Sequence, residues 1–129
     1  REFLTIEELK LLMATPCRRE IVKHAFLFSC FTGLRYCDIK SLLWSEIHTA
    51  VDGKTRYLEH KQVKTKKVVT VPLSEEALKW MPKKQKDKEK VFHQLYITPT
   101  SVEALLDEWV KAAGIPKHIT YHCSRNAPR

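Results

Sequence analysis

Four side chains in this sequence join useful chemistry to positions where a folded backbone would hold them still: Arg35, Lys64, His122 and Arg125. Arg35 stands two residues after Gly33, at the expected start of a helix whose first amides lack intrahelical partners. Lys64 falls in a short, lysine-rich turn between strand-like segments. His122 and Arg125 are three apart in a helical segment and so share a face. Two guanidiniums can grip the non-bridging oxygens of a phosphate bidentately. A lysine at a hairpin tip can protonate a departing oxygen, and a histidine can donate a hydrogen bond or shuttle a proton. Phosphoryl transfer needs such a clamp where negative charge develops. Taken singly, each has an ordinary explanation: a surface ion pair, a solvated turn lysine, a chance His-x-x-Arg.

The elements that must carry these residues follow from periodicity and caps. Thr5-Ile6-Glu7-Glu8 reads as a capping box opening a helix to about Ala14, with Ile6, Leu9, Leu12 and Met13 inward. A second helix, about Arg18–Phe31, is apolar nearly all round and is expected to be central, with Gly33 ending it. A short third helix spans Arg35–Leu43. The period then changes: Glu46–Thr49, Arg56–Gln62 and Lys67–Val71 read as strands, with Asp52-Gly53 as a hairpin turn and Pro72 as a stop. Ser74 caps a further short helix. Thr100-Ser101-Val102-Glu103 reads as a second capping box, opening a helix over Ser101–Ala113, and Thr120 as the N-cap of a last helix holding His122 and Arg125. The expected class is α+β, mainly helical, with one small three-stranded antiparallel sheet.

Composition bounds the partner. Lys and Arg number 23 against 15 Asp and Glu, a formal charge of +8, which suits a polyanion. Lys61, Lys64, Lys66 and Lys67 crowd the turn between strands, whereas the run from Lys83 to Lys90 lacks apolar residues and reads as a solvated loop. No apolar run reaches the roughly 18–20 residues of a membrane span, and no signal peptide is visible. Cys17, Cys30, Cys37 and Cys123 form no Cys-x-x-Cys pair, which predicts free thiols in a reducing compartment and a cytoplasmic location. The six histidines, His60 among them, are scattered without zinc-ligand spacing, so neither a metal nor another cofactor is expected.

Three boxes carry a resemblance. The stretch from Phe31-Thr32-Gly33-Leu34-Arg35 through Asp38-Ile39 to Leu42-Leu43-Trp44 resembles the first arginine box of the tyrosine recombinases, the phage-integrase type of site-specific DNA recombinase. Lys64-Thr65-Lys66-Lys67 followed by Val71-Pro72-Leu73 is similar to that family's lysine hairpin, and His122-Cys123-Ser124-Arg125 to its His-x-x-Arg box. The boxes come in the family's order, spanning about Leu4 to Arg125. The resemblance implies that Arg35 and Arg125 clamp a scissile phosphate, Lys64 acts as general acid toward the 5′-hydroxyl leaving group, and His122 assists. In the family a tyrosine attacks DNA and forms a 3′-phosphotyrosyl bond. No tyrosine here stands where the nucleophile belongs; Tyr36, Tyr57, Tyr96 and Tyr121 read as packing residues. Residues 1–129 are therefore expected to be one catalytic domain cut before its nucleophile, without the family's N-terminal core-binding domain, and inert in cleavage alone. The partner is double-stranded DNA at the bacterial nucleoid, with a tetramer expected for a complete enzyme and a monomer for this chain. One departure is Asn126, where the family usually has histidine.

Two other readings compete. Arg18–Phe31, the Gly33 turn and Arg35–Leu43 could form a helix-turn-helix of a DNA-binding regulator, although Asp38 on the second helix would repel phosphate. Asp52, Glu59 and Lys61 resemble a metal-dependent nuclease pattern, although Asp52-Gly53 already has a turn to make.

Overall fold

The computed structural model describes residues 3–95 and 98–126, apart from the side chain of Asn126; Tyr96 and the terminal Pro128 and Arg129 lie outside them. Helix α1 (Ile6–Ala14) opens on the expected capping box. Thr5 Oγ1 accepts from the Glu8 amide at 3.1 Å, and Glu8 Oε1 accepts from the Thr5 amide at 2.9 Å. Leu9 and Leu12 are buried, but Ile6, expected inward, is exposed; Leu4, just ahead of the cap, is buried in its stead.

Helix α2 (Glu20–Thr32) is the central strut. Val22, Ala25, Phe26, Leu27, Phe28 and Cys30 leave no accessible surface, as its all-round apolarity predicts. It begins two residues later than the sequence suggests, with Arg19 at the N-cap. Lys23 is buried in this helix because its ammonium donates to the Met13 and Thr15 carbonyls, at 2.9 and 3.0 Å. These are orphan acceptors at the end of α1. Gly33 closes α2 in the left-handed region, at φ 78°, where side chains with a Cβ are disfavoured. Helix α3 (Tyr36–Ser41) has only six residues, so the expected run to Leu43 is cut short. Leu42 is extended, and a 3₁₀ turn follows at Trp44–Glu46.

Strands β1 (Ile47–Thr49), β2 (Arg56–Lys61) and β3 (Val68–Leu73) form the antiparallel sheet in the order β1-β2-β3. Leu58 in the central strand faces Ile47 on one side and Val71 on the other. Pro72 does not stop the third strand; it pairs with Tyr57 inside it. A proline is tolerated there because β3 is an edge strand, whose outer amides need no partner in the sheet. The β1–β2 turn is built by Asp52, whose carboxylate accepts from the Lys54 and Thr55 amides, both at 2.8 Å. Those bonds consume the acid that the nuclease reading needs.

Helix α4 (Glu75–Lys79) is capped by Ser74, as expected. Helix α5 (Pro99–Ala112) begins earlier than its capping-box signal suggests. Thr98 is the N-cap, accepting from the Ser101 amide at 3.2 Å, and Pro99 takes the first turn, where its missing N–H costs nothing. Trp109 on α5 is buried edge-on to Phe26 of α2. The lysine-rich loop is exposed from Lys83 to Lys90, yet its far end is held: the Trp44 and Ser45 amides donate to the Glu89 and Asp87 carbonyls. The class is as the sequence predicts, helical with one three-stranded antiparallel sheet. All four cysteines are free thiols, and among the described residues no helix is long and apolar enough to cross a membrane.

Candidate functional site

The chain's last described segment, Tyr121–Asn126, is a 3₁₀ helix instead of the expected α-helix. Thr120 gives its carbonyl to the Cys123 amide, and its hydroxyl lies against the Cys123 thiol. The change of helix type keeps His122 and Arg125 aligned, because residues three apart eclipse when a turn holds three residues.

Side chains of α2 and α5 and the Gly33 carbonyl dock this segment. Tyr121 is buried, with its ring edge-on to Phe26 and its hydroxyl 2.7 Å from Ser29 Oγ on α2. The Tyr121 amide donates to Glu103 Oε1 of α5 at 2.9 Å, which is where the supposed capping glutamate is spent. Arg125 Nε donates to the Gly33 carbonyl at 3.1 Å, two residues from Arg35.

Arg35 occupies the N-cap of α3 and is half-buried. Lys64 is exposed on the β2–β3 hairpin, where the Gln62 amide donates to the Lys67 carbonyl and the Lys66 amide to the Gln62 carbonyl. From separate parts of the chain, Arg35, Lys64, His122 and Arg125 all line one hollow of about 310 Å³. Tyr36, Glu103 and Tyr121 form part of its wall. Three cationic side chains and an imidazole thus face a space open to solvent. Among the described residues the wall holds one carboxylate, Glu103, and the Tyr121 amide occupies it.

Two tyrosines border the hollow, and both are poorly suited to attack. Burial raises the Tyr36 phenol above its ordinary value, helped by the nearby Glu103 charge. Burial pushes Tyr121 well above it. A phenol that resists ionisation is a weak nucleophile. Tyr57 packs against His48 in the sheet.

A second cluster, behind the hairpin, is not apparent from the sequence. Asp38, whose place on a short helix suggests a surface acid, has no accessible surface. Its Oδ1 accepts from the Val63 amide at 2.9 Å and lies 3.2 Å from His60 Nε2. His60 Nδ1 in turn lies 3.0 Å from Glu46 Oε2. A signal is present: His60 is two residues from Leu58 on a strand, hence on the inward face. The same burial weakens the helix-turn-helix reading, since α3 is six residues long with Asp38 and Ile39 turned into the protein.

Comparison with known folds places this architecture among tyrosine recombinase catalytic cores. The structure of XerA recombinase superposes with a TM-score of 0.71 at 19% identity, covering 97% of this chain and 47% of that one. That of XerH site-specific recombinase, bound to its difH substrate in a pre-cleavage complex, gives 0.70 at 14% identity, covering 98% and 41%. This chain therefore spans less than half the length of either recombinase. The chain belongs to the phage integrase family, whose model matches residues 2–127. A comparison with curated protein sequences finds no match.

Proposed function

We propose that residues 1–129 form one catalytic-core domain of a site-specific DNA recombinase and that its hollow grips the scissile phosphodiester of duplex DNA. The observation that carries this reading is the convergence of Arg35, Lys64, His122 and Arg125 on one cavity. Arg35 and Arg125 take the non-bridging oxygens, where charge builds as the phosphorus is attacked. Lys64 hands a proton to the departing 5′-oxygen, and His122 donates to the phosphate. The attacking tyrosine, which forms the 3′-phosphotyrosyl bond as that oxygen leaves, is none of the four tyrosines of this sequence. The setting is the bacterial cytoplasm at the chromosome; the complete enzyme works as a tetramer on DNA, and this chain alone is a monomer.

The test is to map DNA binding residue by residue. Adding a short duplex to the isotope-labelled chain is expected to shift NMR signals of Arg35, the Lys64 hairpin, His122 and Arg125 together. A nicked duplex that traps phosphotyrosyl bonds is expected to yield no covalent adduct. Shifts confined to Arg18–Glu20 and α3, with the Lys64 hairpin and His122 unmoved, would instead favour the helix-turn-helix reading.

A further inference from the structure

A lysine at the tip of a two-stranded hairpin is badly placed for accurate chemistry. Strand β1 supports the hairpin only as far as Leu58. Beyond that it is two-stranded, an arrangement of marginal stability by itself, and its turn is solvent-exposed from Val63 to Lys67. A group that must meet a departing oxygen needs its backbone fixed within a fraction of an ångström. Something has to hold the neck of this hairpin.

The structure supplies a buried bridge there. His60, only 4% exposed near the end of β2, lies between two carboxylates. One is Asp38 of α3, against Nε2; the other is Glu46 of the Trp44–Glu46 turn, against Nδ1. Ser41 Oγ, 3.5 Å from Nε2, completes the ring's polar surroundings. Both nitrogens can donate only when the ring carries two protons. Each acid also holds backbone. Asp38 Oδ1 takes the amide of Val63, the residue immediately before Lys64, and Glu46 Oε1 takes the Leu43 amide at 2.9 Å. Asp38 is itself three residues from Arg35. The bridge therefore joins the segment bearing Arg35, the turn after it and the hairpin neck bearing Lys64 into one hydrogen-bonded unit.

We infer that His60 is a positioning residue: clasped by Asp38 and Glu46, it fixes the lysine hairpin to α3 so that Lys64 stands over the same hollow as Arg35. This rests on the reading of that hollow as a phosphodiester site. His60 touches neither the hollow nor its ligand; it acts through Val63 and Asp38.

The experiment is a double-mutant cycle on the 129-residue chain, reading duplex-DNA affinity against salt concentration. Removing one cation that neutralises a phosphate makes the slope of log affinity on log salt shallower by about 0.9. Lys64→Ala is expected to do this in the wild-type background. His60→Phe, which keeps the bulk of the ring and removes no surface charge, is expected to do the same. Lys64→Ala added to His60→Phe is expected to change nothing further. If the full Lys64→Ala effect persists in a folded His60→Phe protein, the inference is overturned. If Lys64→Ala has no effect even in the wild type while Arg35→Ala does, Lys64 is not at the phosphate and the inference falls; if neither matters, the site reading falls first. His60→Gln, which has one donating nitrogen where the ring has two, covers the case in which His60→Phe does not fold. It is expected to speed hydrogen exchange of the Val63 amide about tenfold or more, the effect of removing one charge-assisted bond, with the Phe26 amide unchanged. An unaltered Val63 amide would refute the clasp.

Discussion

Replacing Arg35 by alanine, with Lys88→Ala as control, separates a built phosphate site from a basic surface. Arg35 is half-buried at the N-cap of α3 and lines the hollow with Lys64 and Arg125. In the proposed function its guanidinium meets a phosphate held by the other groups of the hollow. A hydrogen-bonded charge of that kind contributes about 1.5–3 kcal/mol, so its loss should weaken duplex binding about tenfold to a hundredfold. Lys88 is exposed in the Lys83–Lys90 loop. A solvated charge of this sort contributes little, and its loss should weaken binding about twofold at most. The assay is fluorescence anisotropy of a short labelled duplex between about 50 and about 200 mM salt. With one phosphate no longer neutralised, the salt slope should also be shallower by about 0.9, so that the gap between Arg35→Ala and wild type narrows about threefold across that range. Equal losses for the two variants at every salt concentration would refute the reasoning, because the protein would then be reading DNA with its overall charge alone.

Three other outcomes are expected. Lys66 sits in the left-handed region at φ 62° with a full side chain, so Lys66→Gly should stabilise the fold by about 1 kcal/mol, seen as a higher urea midpoint; an unchanged or lower midpoint contradicts this. Glu8 is held below the usual carboxylate range, first by its hydrogen bond from Lys117 and then by the Thr5 amide. Its contribution is present above the ordinary carboxylate pKa and disappears as pH falls through the lowered value. Glu8→Gln should therefore flatten the loss of stability between about pH 7 and about pH 3, and urea midpoints at the two ends measure it. Tyr121→Phe leaves Ser29 Oγ without its 2.7 Å partner in the core and should cost about 1–3 kcal/mol in thermal unfolding; a neutral result would mean the hydroxyl pair is not formed.

Local signals in the sequence locate most elements, because caps and glycines act over three or four residues. Thr5 with Glu8, Ser74, Gly33 and Asp52-Gly53 all mark the boundaries that their types predict. The sequence misleads where a distant partner outcompetes a local one. Glu103 has the spacing of a residue that caps its own helix, but its carboxylate serves the Tyr121 amide 18 residues on. Pro72 has the character of a stop, and its sequence neighbourhood does not reveal that β3 lies at the sheet edge. The four cationic and imidazole groups can be named from their spacing and family likeness, yet nothing in the linear order says that they share a cavity. The Asp38–His60–Glu46 cluster is legible only in part: alternation with Leu58 turns His60 inward, but nothing in the linear order brings the two acids to it. Asp38 and Glu46, each taken alone, resemble ordinary surface acids.

The hydrogen bond from Arg125 Nε to the Gly33 carbonyl ties the end of the described chain to the corner from which Arg35 projects. Peeling the Tyr121–Asn126 segment away from α2 would break that bond and loosen the corner together. Opening that segment therefore takes Arg125 out of the hollow and at the same time removes one hydrogen bond from the corner that carries Arg35, which couples two cations drawn from distant parts of the chain.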